Sequence, residues 1–171
     1  MLTENNFYGL LLTELFKRLQ TAVPDLAWIA EDYGQLDLGE DAPPVAFPCA
    51  LIDFPSTSFS ELSDLEQTGE VTIDVKLAFN AHAEAYSVAP ESHLNASVKR
   101  FDTEQKVYTA LHGWAVEKKF QGLSRTGVST ERRADGCKVR VLRFTTWYQD
   151  QCASPENTKI PVSISTTGRI Y

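Results

Sequence analysis

Apolar positions near the start of the chain recur at helical spacing. Phe7, Leu10, Leu11, Leu15, Phe16 and Leu19 share one face, which predicts an amphipathic helix over residues 3–22. Thr3 is placed to cap it, Glu4 falls in its first turn, and Pro24 ends it. Leu26, Trp28 and Ala30 then alternate with Ala27, Ile29 and Glu31, a short strand followed by a Gly- and Pro-containing loop from Gly34 to Pro44. Residues 45–54 (VAFPCALIDF) read as a mostly apolar strand. Pro48 cannot donate to a ladder, so it argues for an edge position or a bulge, and Asp53 beside Phe54-Pro55 marks the exit. From Gly69 the period becomes two, with Val71, Ile73, Val75, Leu77 and Phe79 on one face and Thr72, Asp74, Lys76 and Ala78 on the other.

The small-residue stretch 80–90 reads as a loop. A second helix is expected from about Ser92 or Asn95 to Trp114, with Leu94, Val98, Phe101, Val107, Tyr108, Leu111 and Trp114 as its apolar members. Residues 123–133 and 137–148 form two strands joined by Ala134-Asp135-Gly136, where Asp-Gly is a strong hairpin signal. The last strand carries bulk on both faces: Val139, Val141 and Trp147 on one, Leu142, Phe144 and Tyr148 on the other. Such a strand needs two covers, the helices and either a neighbouring subunit or the far wall of a curled sheet. Beyond Asp150, QCASPENTK is loop-like, and 160–170 alternates weakly through Val162 and Ile164, an arm suited to adding a strand to its own sheet or a neighbour's. The fold class is therefore α+β: a mainly antiparallel sheet of four to five strands, two helices on one face, a strand hairpin near the C-terminus and an extended C-terminal arm. The domain reading is one α+β domain over 1–150 and the arm over 151–171.

At 171 residues the chain has the length of one ordinary domain and can bury a core without staples. A formal net charge of -7 disfavours a dedicated nucleic-acid binder or an anionic-membrane binder, since the ligand would meet a like-signed body. The N-terminal stretch carries Glu4 and Glu14 and lacks a basic n-region and a small-residue cleavage site, so it does not read as a signal peptide, and synthesis in the cytoplasm is expected. Cys49, Cys137 and Cys152 are too scattered for a disulfide framework and read as reduced thiols.

Charge is sorted along the sequence. No Lys or Arg lies between Arg18 and Lys76, while twelve acidic residues do. From Lys99 to Arg143 eleven bases outnumber five acids. A subunit that docks head to tail on its own copies has a use for such a split, because an acidic surface can meet the basic surface of the next copy. The competing reading is two ordinary solvated faces. The candidate basic interface residues are Arg125, Arg132, Arg133, Arg140 and Arg143. The candidate acidic ones, facing either a lumen or the neighbour's basic hairpin, are Asp37, Glu40, Asp41, Glu66 and Glu70.

No constellation specifies catalysis. His82, His93 and His112 match no zinc spacing. Gly-x-Ser-x-Gly, Walker A and dinucleotide glycine patterns are absent, and the pairs Glu31-Asp32 and Glu40-Asp41 sit in loop-like acidic sequence. The expectation is a non-enzyme with no metal and no cofactor. Arg132, Arg133, Arg140 and Arg143 with Trp147 and Tyr148 suggest phosphate contact and base stacking in principle, but partner carboxylates suit the guanidinium fork better in so acidic a chain.

Element order and residues 45–148 resemble the tail terminator and tail completion family of long-tailed bacteriophages. The resemblance is carried by VAFPCALIDFP, VTIDVKLAF, DTEQKVYTALHGW followed by Phe120, and LSRTGVSTERRADGCKVRVLRFTTWY. It implies a structural virion protein, made in the host cytoplasm, that forms a six-fold homo-oligomeric ring on the head-proximal end of the tail tube. Such a ring stops tube polymerisation and joins the tail to the head-side connector or neck protein, with genomic DNA passing through the lumen without specific binding and no membrane involved. The alternatives are a head-completion or neck adaptor of the same architecture, and a non-viral bacterial ligand- or protein-binding module.

Overall fold

The structure, a computed structural model, describes residues 6–38, 44–80 and 86–151. Two helices and five strands follow in the order α1 (Phe7–Ala22), β1 (Trp28–Glu31), β2 (Cys49–Ser63), β3 (Glu66–Phe79), α2 (Glu91–Leu111), β4 (Ser124–Glu131) and β5 (Lys138–Asp150). The strands form one sheet of order β1-β2-β3-β5-β4. Only β1–β2 is parallel; β2–β3, β3–β5 and β4–β5 are antiparallel. The α+β class expected from the sequence holds. The C-terminal arm, from residue 152 onward, lies outside the described residues.

α1 forms because Leu11, Leu15 and Leu19 repeat every four residues and are wholly buried against the sheet, each contributing about 1.5–3 kcal/mol on burial. The helix starts four residues later than the sequence suggested: Asn6 is the cap, its side-chain oxygen accepting from the Gly9 amide at 3.0 Å. Thr3 is outside the described residues. α2 adds Val107, Ala110 and Leu111, and both helices cover one face of the sheet, over Ala50, Ile52, Val71, Ile73, Val75, Leu77, Leu142 and Phe144.

A parallel β1–β2 pair needs a crossover, and the described parts of the connection, 32–38 and 44–48, lie against the opposite face. Gln35 is buried there, and Leu36, Val45 and Phe47 pack on Cys49, Leu51, Ala78 and Val139. This segment is the second cover for Val139 and Val141 on β5. It stops short of Trp147 at the far end of the strand, which stays 44 % exposed.

Three expectations change. Pro48 precedes β2 instead of interrupting it, and the strand starts inside the sheet, between β1 and β3. Nor does β2 end at Phe54-Pro55: a register shift between Asp53 and Ser56 absorbs the proline, and the strand runs on to Ser63 before a turn at Asp64-Leu65 returns it as β3. In α2, Leu94, Val98 and Phe101 were expected in the apolar face but stand about half exposed, because only the C-terminal half of the helix reaches the sheet core.

Candidate functional site

Antiparallel register brings the acidic and basic halves of the sequence side by side. Asp74 on β3 lies opposite Arg143 on β5, and the guanidinium grips the carboxylate with two bonds, Nε to Oδ1 at 2.7 Å and Nη2 to Oδ2 at 2.6 Å. Arg140, opposite Leu77 on the helix-covered face, reaches Glu104 of α2 bidentately at 2.8 and 3.1 Å and also donates to the Thr130 hydroxyl at 2.8 Å. These partners hold both guanidinium groups above the ordinary arginine pKa, through the hydrogen bonds to Glu104 and Asp74 respectively. Arg125 stands over the Tyr108 ring, 3.7 Å from its centroid.

The densest cluster joins the β4–β5 hairpin to the crossover. Arg133, whose side chain is only 9 % exposed, donates to Asp135 at 2.8 Å, to Asp37 at 2.5 Å, to Glu131 at 3.1 Å and to the Leu36 carbonyl. Asp135 is the largest influence raising the Arg133 pKa, and Arg133 in turn holds the Asp135 carboxyl below its ordinary range. Lys76 meets Asp32 at 2.8 Å and Glu131 at 3.4 Å. Burial works against the Lys76 charge, but the two carboxylates outweigh it and leave the pKa raised. Gly136, at φ +78°, closes the hairpin turn, and the Cys137 amide donates to Asp135 at 3.0 Å. The expected meeting of the Asp37 loop with a basic hairpin thus occurs within one chain.

Of the candidate residues, Arg133, Arg140, Arg143 and Asp37 are committed to internal pairs. Arg132 is exposed and carries no ion pair among the described residues. Glu66 and Glu70 on β3 are half-buried and likewise make no ion pair among the described residues. Glu40 and Asp41 lie outside the described residues. The stacking idea changes too: Trp147 is exposed, but Tyr148 is buried, its ring lying flat on Phe7 with centroids 3.4 Å apart and planes 3° from parallel. Among the described residues no group of three His, Cys, Asp or Glu is placed to hold a metal ion, and no helix is long and apolar enough to cross a membrane.

Among the described residues, two groups of exposed apolar side chains stand out. One is the β2–β3 hairpin end, where Phe59, Leu62 and Leu65 are 48, 54 and 48 % exposed and every charged residue from 61 to 70 is acidic: Glu61, Asp64, Glu66 and Glu70. The other is the N-terminal half of α2, where Leu94, Val98 and Phe101 are 49, 48 and 58 % exposed. The α2 stripe reads as core in the sequence, and the hairpin end falls in a stretch to which the sequence assigns no element.

No protein-family model matches this chain, and no curated protein matches it. Among solved structures, a chain from one described as the virion of a native gene transfer agent particle shares the fold, with a TM-score of 0.53 and 11 % sequence identity. The match covers 84 % of this chain and 98 % of that one.

Proposed function

We propose that the protein is a structural component of a phage-like virion, acting as a tail-terminator-type subunit. In this reading copies assemble head to tail into a six-fold ring on the head-proximal end of the tail tube, stop its polymerisation and present a surface to the head-side connector. The observation that carries the reading is the fold shared with a gene transfer agent virion chain over 98 % of that chain's length. The role is structural: the charged clusters are internal clamps joining hairpin, crossover and α2, and exposed apolar side chains at the β2–β3 hairpin end and along α2 are available to partners. A net charge of -7 suits a ring whose lumen passes DNA without holding it. The test is polymerisation of the particle's own tube protein with and without this chain. Addition is expected to cap tubes and fix their length; tubes that grow unchanged, with no density at their ends, contradict the reading.

A further inference from the structure

We infer that the β2–β3 hairpin end of one copy docks on the exposed stripe of α2 of a second copy, and that this repeated contact builds the assembly. The inference rests on the ring reading above and names the surfaces through which it closes. The two surfaces lie at opposite ends of the sheet. β3 leaves the turn at Glu66 and reaches Phe79 after 13 residues, about 43 Å at roughly 3.3 Å per residue. A groove of about 320 Å³ lined by Phe79, Asn80, Ala96, Lys99, Arg100 and Thr103 places the N-terminal half of α2 at that far end. One molecule therefore cannot satisfy both surfaces itself, whereas a chain of copies can, each giving a hairpin and receiving one. That is a heterologous contact, which closes into a ring when the rotation per subunit divides a full turn.

The chemistry of the two surfaces matches. Phe59 and Leu62 offer apolar anchors to Leu94, Val98 and Phe101, which recur at spacings of four and three and so form one stripe. Bare apolar side chains on a monomer cost solubility unless something covers them. Charge adds direction. The charged residues carried by the hairpin itself, Glu61, Asp64, Glu66 and Glu70, are all acidic, while Lys118 and Lys119 border Thr68 in a groove at its base. Beside the stripe, Lys99 borders Val98 in a second shallow groove, while Arg100 and Lys138 stand at the same end of the molecule, and none of these three makes an ion pair among the described residues. Asp102 is the one carboxylate in that groove besides Asp25, which is already bound to Lys106. Opposite charges around an apolar centre steer the encounter and reject the reversed orientation.

The test uses the full chain in two variants, Phe59→Ser with Leu62→Ser, and Val98→Ser with Phe101→Ser. All four positions are half exposed, so both variants are expected to keep the wild-type circular dichroism spectrum and melting temperature. Sedimentation velocity at low salt should show wild type assembling and each variant associating about a hundredfold more weakly, the scale of losing one or two interface anchors. Because each variant keeps one intact surface, mixing the two should produce a 1:1 complex and nothing larger. If wild type assembles and either variant assembles equally well, or the mixture gives no 1:1 complex, this contact is wrong and the ring reading survives it. Wild type that stays monomeric at high concentration overturns both.

Discussion

Replacing Arg133 by Ala separates an internal clamp from a subunit contact. The guanidinium has four partners of unequal worth. Asp37 and Asp135 are 65 and 48 % exposed, so water screens those pairs to about 0.5 kcal/mol each. Glu131 and the Leu36 carbonyl lie on the sheltered side, where a hydrogen bond from a charged donor contributes about 1–1.5 kcal/mol and an orphaned acceptor adds to the loss. Lys76 stays 3.4 Å from Glu131 and limits the damage. The expected cost is about 3 kcal/mol, read as a shift in the urea midpoint at constant slope. In a thermal melt it should appear as a fall of roughly 6–12 °C for a chain of this length. Arg132, its exposed neighbour, is the control: Arg132→Ala should change stability by no more than about 0.5 kcal/mol. A cost below about 1 kcal/mol for Arg133→Ala, together with lost assembly, would refute the reasoning and move Arg133 to the subunit boundary.

Three further outcomes are expected. In Gly69→Ala the new Cβ would collide with Tyr148 Cε1 and stand 2.9 Å from Cζ, and Phe7 stacked on that ring blocks its retreat; the loss should be about 1–3 kcal/mol in denaturant melts, and a variant as stable as wild type would mean the ring moves freely. Asp135 has a folded pKa held below its ordinary 3.8 by Arg133 and then by the Cys137 amide, so its contribution is complete above about pH 4 and fades as pH falls through the folded value. The stability gap between wild type and Asp135→Asn should therefore be constant near neutrality and shrink in acid, and a gap that widens in acid would contradict the assignment. Cys49 is wholly buried in β2 with its thiol pushed up to about 12 by burial, so alkylation at pH 8 followed by peptide mapping should find it unmodified until urea unfolds the chain. Rapid labelling of Cys49 in the native protein would place it elsewhere.

Strict alternation made β3 readable, because one face must meet the helices while the other meets the thinner crossover. The Asp135-Gly136 turn was equally plain, since few sequences accept its positive φ. The distal half of β2 was invisible for a physical reason: STSFSELS has a polar, serine-rich face open to water and follows a proline, and the bulge that rescues the strand leaves no periodic trace. α2 was read one step too simply. Its apolar positions form two sets, Val107 and Leu111 against the sheet and Leu94, Val98 and Phe101 toward solvent, and sequence spacing cannot tell a buried stripe from one awaiting a partner. Charge misled in the same way. Asp74 and Arg143 are 69 residues apart yet bonded, so separation along the chain did not mean separation in space. What stays after pairing is smaller: carboxylates along the β2–β3 hairpin, with Lys118 and Lys119 at its base, and Lys99, Arg100 and Lys138 at the α2 end.

We propose that copies of this chain close into a ring that caps a tail tube. Electron microscopy of the concentrated protein at low salt, alone and mixed with tail tubes, tests it most directly. Closed six-fold rings with a central hole, or caps of that symmetry on tube ends, are the expected images. Small compact particles in both samples, with bare tube ends in the second, would contradict the account.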